Sequence, residues 1–281
     1  MKRRVLRRVV SHFMVGLMGL AVALAVLPLL FILGMLVVKG AGSLNLAFFT
    51  EIPAPAGEEG GGVSHAIIGT LLIVGAACLI GLPVGISAGI YSAEFPNTRL
   101  ATFTRFIADV MNGTPSIVVG VFAWTWVVVR QGHFSGLAGS VALAMLMIPM
   151  VMRTTEEMIK LVPNSMREAA LALGYPRWRT SLSVVVRSTL PGIVTGTLLA
   201  VARIAGETAP LLFTALGSQF LVTNLDEPMA ALPLVVYLYA TGPFEDWHRL
   251  AWATALVLII VVLILSVAAR LATRQRFDRR G

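Results

Sequence analysis

The sequence predicts an all-α integral membrane protein with six transmembrane helices. Three observations lead there. Apolar residues fill 57% of the 281 positions and charged ones only 13%, about half the charged share of a soluble domain. The apolar residues gather into charge-free runs of 19 residues or more, near the ~20 that cross a bilayer as a helix. The basic residues gather in alternate connections. Lipid offers the backbone no water to bond with, so spans this long are helices.

The first run, Phe13–Val38, holds 26 residues without a charge behind the basic start MKRRVLRRVV. A secretory signal has an apolar core of only ~7–15 residues, so the run reads as a retained first helix. Residues 1–62 then comprise a basic tail, this helix and an outer loop. Pro53, Pro55 and the Gly57…Gly60-Gly61-Gly62 cluster mark that loop as irregular.

Residues 63–271 hold the remaining spans, at about 64–93, 107–129, 133–152, 188–217 and 249–270. Four rest on the charge-free runs Ala66–Ala93, Val110–Val129, Phe134–Met152 and Leu250–Ala269. The fifth, Ser188 to Leu216, is interrupted by Arg203 and Glu207. Between spans four and five lies a polar connection at 153–187, divided by Pro163 and Pro176, which predicts two or three short helices outside the bilayer. Residues 272–281 form a basic tail. Pro228–Phe244 is apolar but short and carries Pro233. As a seventh span it would put the arginine-rich tail outside, so it reads as a segment lying at the outer surface.

Orientation follows from the basic residues. One face collects Lys2, Arg3, Arg4, Arg7 and Arg8, the tail residues Arg270, Arg274, Arg276, Arg279 and Arg280, and Arg99 and Arg105. It also takes Arg153, Lys160, Arg167, Arg177, Arg179 and Arg187. The other face has Lys39, Arg130 and Arg249, with Glu51, Glu58, Glu59, Asp226, Glu227, Glu245 and Asp246. Both termini are therefore expected in the cytoplasm. A net charge of +8 on a soluble surface would point to nucleic acid; lining the inner rim of the spans, it implies a lipid bilayer instead, and no nucleic-acid partner.

Chemistry within the chain is not expected. Cys78 is the one cysteine, and His12, His65, His133 and His248 are scattered singly, without the spacing of a metal site. No G-x-x-x-x-G-K phosphate loop occurs, and no nucleophile–base pair argues for catalysis. No cofactor is expected on this chain, and it is not read as an enzyme.

The connection at 153–187 contains Arg167-Glu168-Ala169-Ala170-Leu171-Ala172-Leu173-Gly174, which resembles the E-A-A-x-x-x-G signature of binding-protein-dependent ABC importer permeases. The resemblance implies a type I ABC importer permease architecture and a short helix that docks into an ATPase subunit. Small Ala169 and Ala170 allow close helix approach, Glu168 offers a charge, Gly174 suits a C-cap, and Trp178 suits a partner's pocket. The family pattern continues toward I-x-L-P, which here falls on Val184, Val186 and Arg187, with Leu190-Pro191 following late. The end of the segment is thus displaced.

Three further stretches resemble the PstA-type phosphate permeases. They are Gly60–Val63 leading to Ala66–Thr70, then Asn112–Gly120 (N-G-T-P-S-I-V-V-G), then Ala202–Ala215 (A-R-I-A-G-E-T-A-P-L-L-F-T-A). The A-P-L-L-F-T-A ending separates this type from its partner permease. The resemblance implies a heteromeric importer: this subunit, a second phosphate permease, two ATPase subunits carrying ATP and Mg, and an external phosphate-binding protein. The competing readings are an importer of another oxyanion or the partner phosphate permease, which residues 202–215 argue against, and a self-contained secondary transporter or polytopic membrane enzyme, which would need no coupling helix.

Arg203 lies fifteen residues after Ser188, about 22 Å along a helix and so deep in the membrane, where an ionisable residue is a functional hypothesis by default. Glu207 stands at i+4 and can reach it. Two readings stand side by side. As an anion gate, Arg203 offers phosphate a bidentate fork and Glu207 holds that charge between passages. As a packing feature, the two form a buried ion pair that never meets substrate. Pro115 is expected to free the carbonyl of residue 111, leaving Thr114 and Ser116 to face a pore or merely to accompany a kink.

Overall fold

The computed structural model describes residues 2–55, 57–58 and 60–277. Glu59, Arg279 and Arg280 lie outside the described residues, as do the side chains of Lys2, Arg3, Arg4, Arg8, Arg274 and Arg276. The described chain is all-helical, with a single isolated β-bridge between Pro53 and Gly61.

The helices are α1 (Lys2–Gly40), α2 (Leu46–Thr50), α3 (Ser64–Glu94), α4 (Arg99–Gly113) and α5 (Ser116–Gln131), the last containing a π turn at Trp124–Val128. There follow α6 (Gly136–Lys160), α7 (Asn164–Ala172), α8 (Arg177–Ile204), α9 (Ala209–Thr214), α10 (Leu232–Ala240) and α11 (Glu245–Phe277). Among the described residues, α1, α3, α6, α8 and α11 are long and apolar enough to cross a membrane, and α4 with α5 make a sixth crossing if taken together.

The centre is the pair α3–α6. Gly85 and Gly89 of α3 stand where a Cβ would lie 2.9 Å from Val151 Cβ and 2.6 Å from Thr155 Cβ. Small residues bring the two backbones close, as helices in lipid require, since apolar contact alone gives little gain there. Around this pair Ile73, Leu143, Met147, Ile204, Leu211 and Leu234 form the main core. By contrast α1 is exposed along most of its length and packs chiefly on α11. A Cβ at Gly40 would come within 2.8 Å of the Trp252 carbonyl oxygen.

The expected third span is not one helix. The charge-free run Val110–Val129 is broken at Thr114-Pro115, and α4 and α5 meet there at 107°. The cause is local. Proline crowds the preceding residue out of the helical region, and Thr114 is extended at φ −81°, ψ 129°. The Met111 carbonyl is not freed as expected: it accepts from the Thr114 N–H at 3.2 Å, and Thr114 Oγ1 donates to Val110 O at 2.8 Å.

The expected fifth span is corrected at both ends. Its helix begins at Arg177, eleven residues before Ser188, and stops at Ile204 rather than Leu216. Arg177, Arg179 and Arg187 do not end it, because arginine is a good helix former and all three side chains are exposed, so their charges need no burial. Likewise α6 continues past Met152 to Lys160, so within 153–187 only residues 161–176 separate the two long helices.

Pro228–Phe244 contains the nine-residue α10, far too short to span. It packs Leu232, Val235 and Tyr239 against Phe48, Val63, Ala66 and Leu250.

Candidate functional site

The breaks in α4–α5 and α8–α9 face each other. Gly120 of α5 stands where a Cβ would lie 2.6 Å from Pro210 Cα in α9, and Ser135 N–H donates to Thr214 O at 3.0 Å. The A-P-L-L-F-T-A ending therefore packs α9 onto α5. Leu211 and Ala215 enter the main core.

Between the breaks lies a cleft of about 310 Å³. It brings together all four residues expected on a pathway: Thr114 and Ser116 from one break, Arg203 and Glu207 from the other. Asn112 and Gly113 of α4 and Leu146 and Met150 of α6 are among its other lining residues. Leu146 is ten residues from Gly136 and Met150 ten from Lys160, so the cleft sits about 15 Å from each end of α6. That places it at mid-depth of the bundle.

One expectation about the pair is corrected. Arg203 occupies the last turn of α8, and the chain turns at Ala205-Gly206 before Glu207. The two are not at i+4 on a continuous helix. Among the described residues, no ion pair includes either side chain. Arg203 is exposed and Glu207 half-buried, so the packing-pair reading loses its geometry. The cleft is lined by one guanidinium, one carboxylate and the hydroxyl side chains of Thr114 and Ser116, and the Thr114 hydroxyl donates its proton to Val110 O.

The residues expected to couple lie together at the Lys160 end. α7 finishes in a Schellman cap: Gly174, at φ +81°, donates to Leu171 O at 2.9 Å, and Tyr175 N–H donates to Ala170 O at 3.2 Å. Ala170 packs inward, while Glu168, Ala169 and Trp178 are exposed. Sequence reasoning missed what holds α7. Glu94 of α3 accepts from Arg167 of α7 and from Ser181 of α8, and Arg167 also donates to Ile159 O at 3.2 Å. The missed cleft residues Leu146 and Met150 look like any others in an apolar span, so no signal marked them.

An all-helical bundle with paired breaks around a mid-depth polar cleft defines a membrane permease. Solved structures share the fold: the MetNI methionine ABC transporter in an inward-facing conformation (TM-score 0.61, 20% identity, 76% of this chain and 93% of that chain) and an amino acid ABC transporter (0.58, 16%, 76% and 92%). The architecture is that of type I ABC importer permeases.

The profile of the family described as binding-protein-dependent transport system inner membrane component matches residues 81–279. The phosphate transport system permease protein PstA of Haemophilus influenzae is 48% identical over 266 residues, covering 94% of each chain. That of Yersinia pestis is 51% identical over 243 residues (86% of this chain, 82% of the other). A probable PstA of Methanocaldococcus jannaschii is 38% identical over 97% of each. The chain thus belongs to the binding-protein-dependent inner membrane transport components and, within them, to the PstA permeases. These are transport components, not enzymes.

Proposed function

We propose that this chain forms half of the translocation pathway of an ATP-driven importer of inorganic phosphate. The observation that carries the reading is the mid-depth cleft that gathers Arg203, Glu207, Thr114 and Ser116 between two facing helix breaks. A guanidinium matches phosphate oxygens in a bidentate fork, and an unpaired one at this depth has its place on a pathway. Glu207 repels the anion from the same cleft, which favours passage over tight retention.

By the positive-inside rule, the end bearing Arg153, Lys160 and Arg167 faces the cytoplasm, and both termini lie there, in the cytoplasmic (inner) membrane. The exposed Glu168, Ala169 and Trp178 then meet an ATPase subunit, with Ala170 and Gly174 fixing the shape of α7. ATP and Mg are held by that partner and not by this chain. The assembly consists of this subunit, a second phosphate permease, two ATPase subunits and an external phosphate-binding protein. PstA relatives named for phosphate transport support the substrate.

The test is phosphate uptake in cells carrying Arg203→Ala, with co-purification of the ATPase subunit measured in parallel. Losing a charge-assisted partner predicts a fall of about tenfold or more with assembly intact. Unchanged uptake with intact assembly would take Arg203 off the pathway.

A further inference from the structure

The two faces that line the cleft carry a second cation toward the Lys160 end. On α6, Leu146 and Met150 line the cleft, and Arg153 follows on the same face three residues on, about 4.5 Å further along the axis. On α4, Asn112 and Gly113 line the cleft, and Asp109 precedes them by one turn. Arg153 and Asp109 form an ion pair across this gap, with side chains 29% and 63% exposed.

Behind them stands Glu156, 1% exposed, which receives Arg105 at 2.6 Å and Lys160 at 2.6 Å. Arg153 reaches it only at 3.4 Å. One oxygen of Glu156 is thus held by Arg105 and Lys160 and the other faces Arg153, while the close partner of Arg153 is Asp109. Arg105, Arg153 and Lys160 face two carboxylates, which leaves one positive charge in excess. Water screens an open pair such as Arg153–Asp109, so it parts readily.

We propose that Arg153 is a second oxyanion station, one turn beyond the cleft, at which a phosphate leaving Arg203 displaces Asp109 from the guanidinium. The proposal rests on the reading of the cleft as an anion pathway. Arg153 meets Asp109 through Nη2, with Nη1 turned to Glu156; a phosphate oxygen can take the place of the Asp109 oxygen in the same charge-assisted hydrogen bond, so Asp109 occupies the station between passages. Asp109 sits on α4, which joins α5 through the non-helical Thr114-Pro115 step, so it can withdraw without disturbing α5.

The competing role is a clamp that merely pins α4 to α6. Both are tested in the assembled transporter in cells. Arg153→Gln is expected to lower phosphate uptake about tenfold or more, and Arg153→Lys to keep much of it, since the charge remains though the fork does not. The discriminating variant is Arg153→Cys with Asp109→Asn in a Cys78→Ser background, treated with a thiol reagent bearing an ammonium or a sulfonate. A station needs a cation at position 153 and not its partner, so the ammonium reagent restores uptake and the sulfonate does not. A clamp needs the partner. Restoration by neither reagent, or by both, overturns the station, as does unchanged uptake in Arg153→Gln. Arg203→Ala is measured alongside. If it is inactive while Arg153→Gln is active, only the second station fails; if it is fully active, the cleft reading fails first.

Discussion

Arg203 closes α8 and Glu207 stands just before α9, so the two side chains reach one cleft across a break in the backbone. Their charges are set against each other through the cleft and whatever fills it. Neither anchors the other.

It follows that Glu207→Gln should leave folding almost untouched. With no ion pair to lose, its stability is expected within about 0.5 kcal/mol of the parent, while the maximal rate of phosphate uptake falls because a cleft without its carboxylate holds the anion longer. Thermal melting of the purified transporter and uptake kinetics check the two halves.

Gly120→Val should do the reverse. A side chain there drives into Pro210, which a bare Cβ would already approach to 2.6 Å. Overpacking of this kind costs about 1–3 kcal/mol, so the melting temperature drops. Uptake per folded molecule then reports whether the position of α9 matters to transport.

Glu94→Gln removes the charge that Arg167 meets in a largely covered setting, with side chains 12% and 22% exposed. A hydrogen bond to a charged group contributes about 1.5–3 kcal/mol. The expected outcome is faster protease cleavage within residues 161–176, where α7 lies, with the cleft unaffected. Cleavage at the parental rate would mean that Ile159 O and local packing hold α7 without Glu94.

Gly174→Ala places a Cβ at φ +81°, a left-handed conformation that costs an L side chain about 1–2 kcal/mol. The last turn of α7 should fray, and co-purification of the ATPase subunit should weaken with it. An unchanged yield would separate the cap from the docking surface.

The sequence makes the long apolar helices plain because charge is costly inside lipid and charge-free runs are easy to see. It also marks Thr114, Ser116, Arg203 and Glu207, polar residues where apolar ones would be expected. What it hides is that Thr114-Pro115 and Ala205-Gly206 break their helices fully, since hydropathy averaged along a run carries no information about direction. A run of apolar residues bent through 107° has the same composition as a straight one. The helix ends beyond Met152 and before Ser188 are hidden for a related reason: arginine and lysine tolerate helix at the interface. Leu146 and Met150 become cleft residues only through tertiary packing. The ties from Glu94 to Arg167 and Ser181 join positions 73 and 87 residues apart, a separation at which local pattern is silent.

The sparse attachment of α1 has a consequence for how the molecule is made. Its chief neighbour, α11, begins at Glu245, while α1 ends at Gly40. At a synthesis rate of about 5–20 residues per second, the ribosome needs about 10–40 s to cover that distance. Throughout that interval the first helix must persist in the bilayer on its own hydrophobicity, and the seam at Gly40 and Trp252 closes only after every other helix has been made.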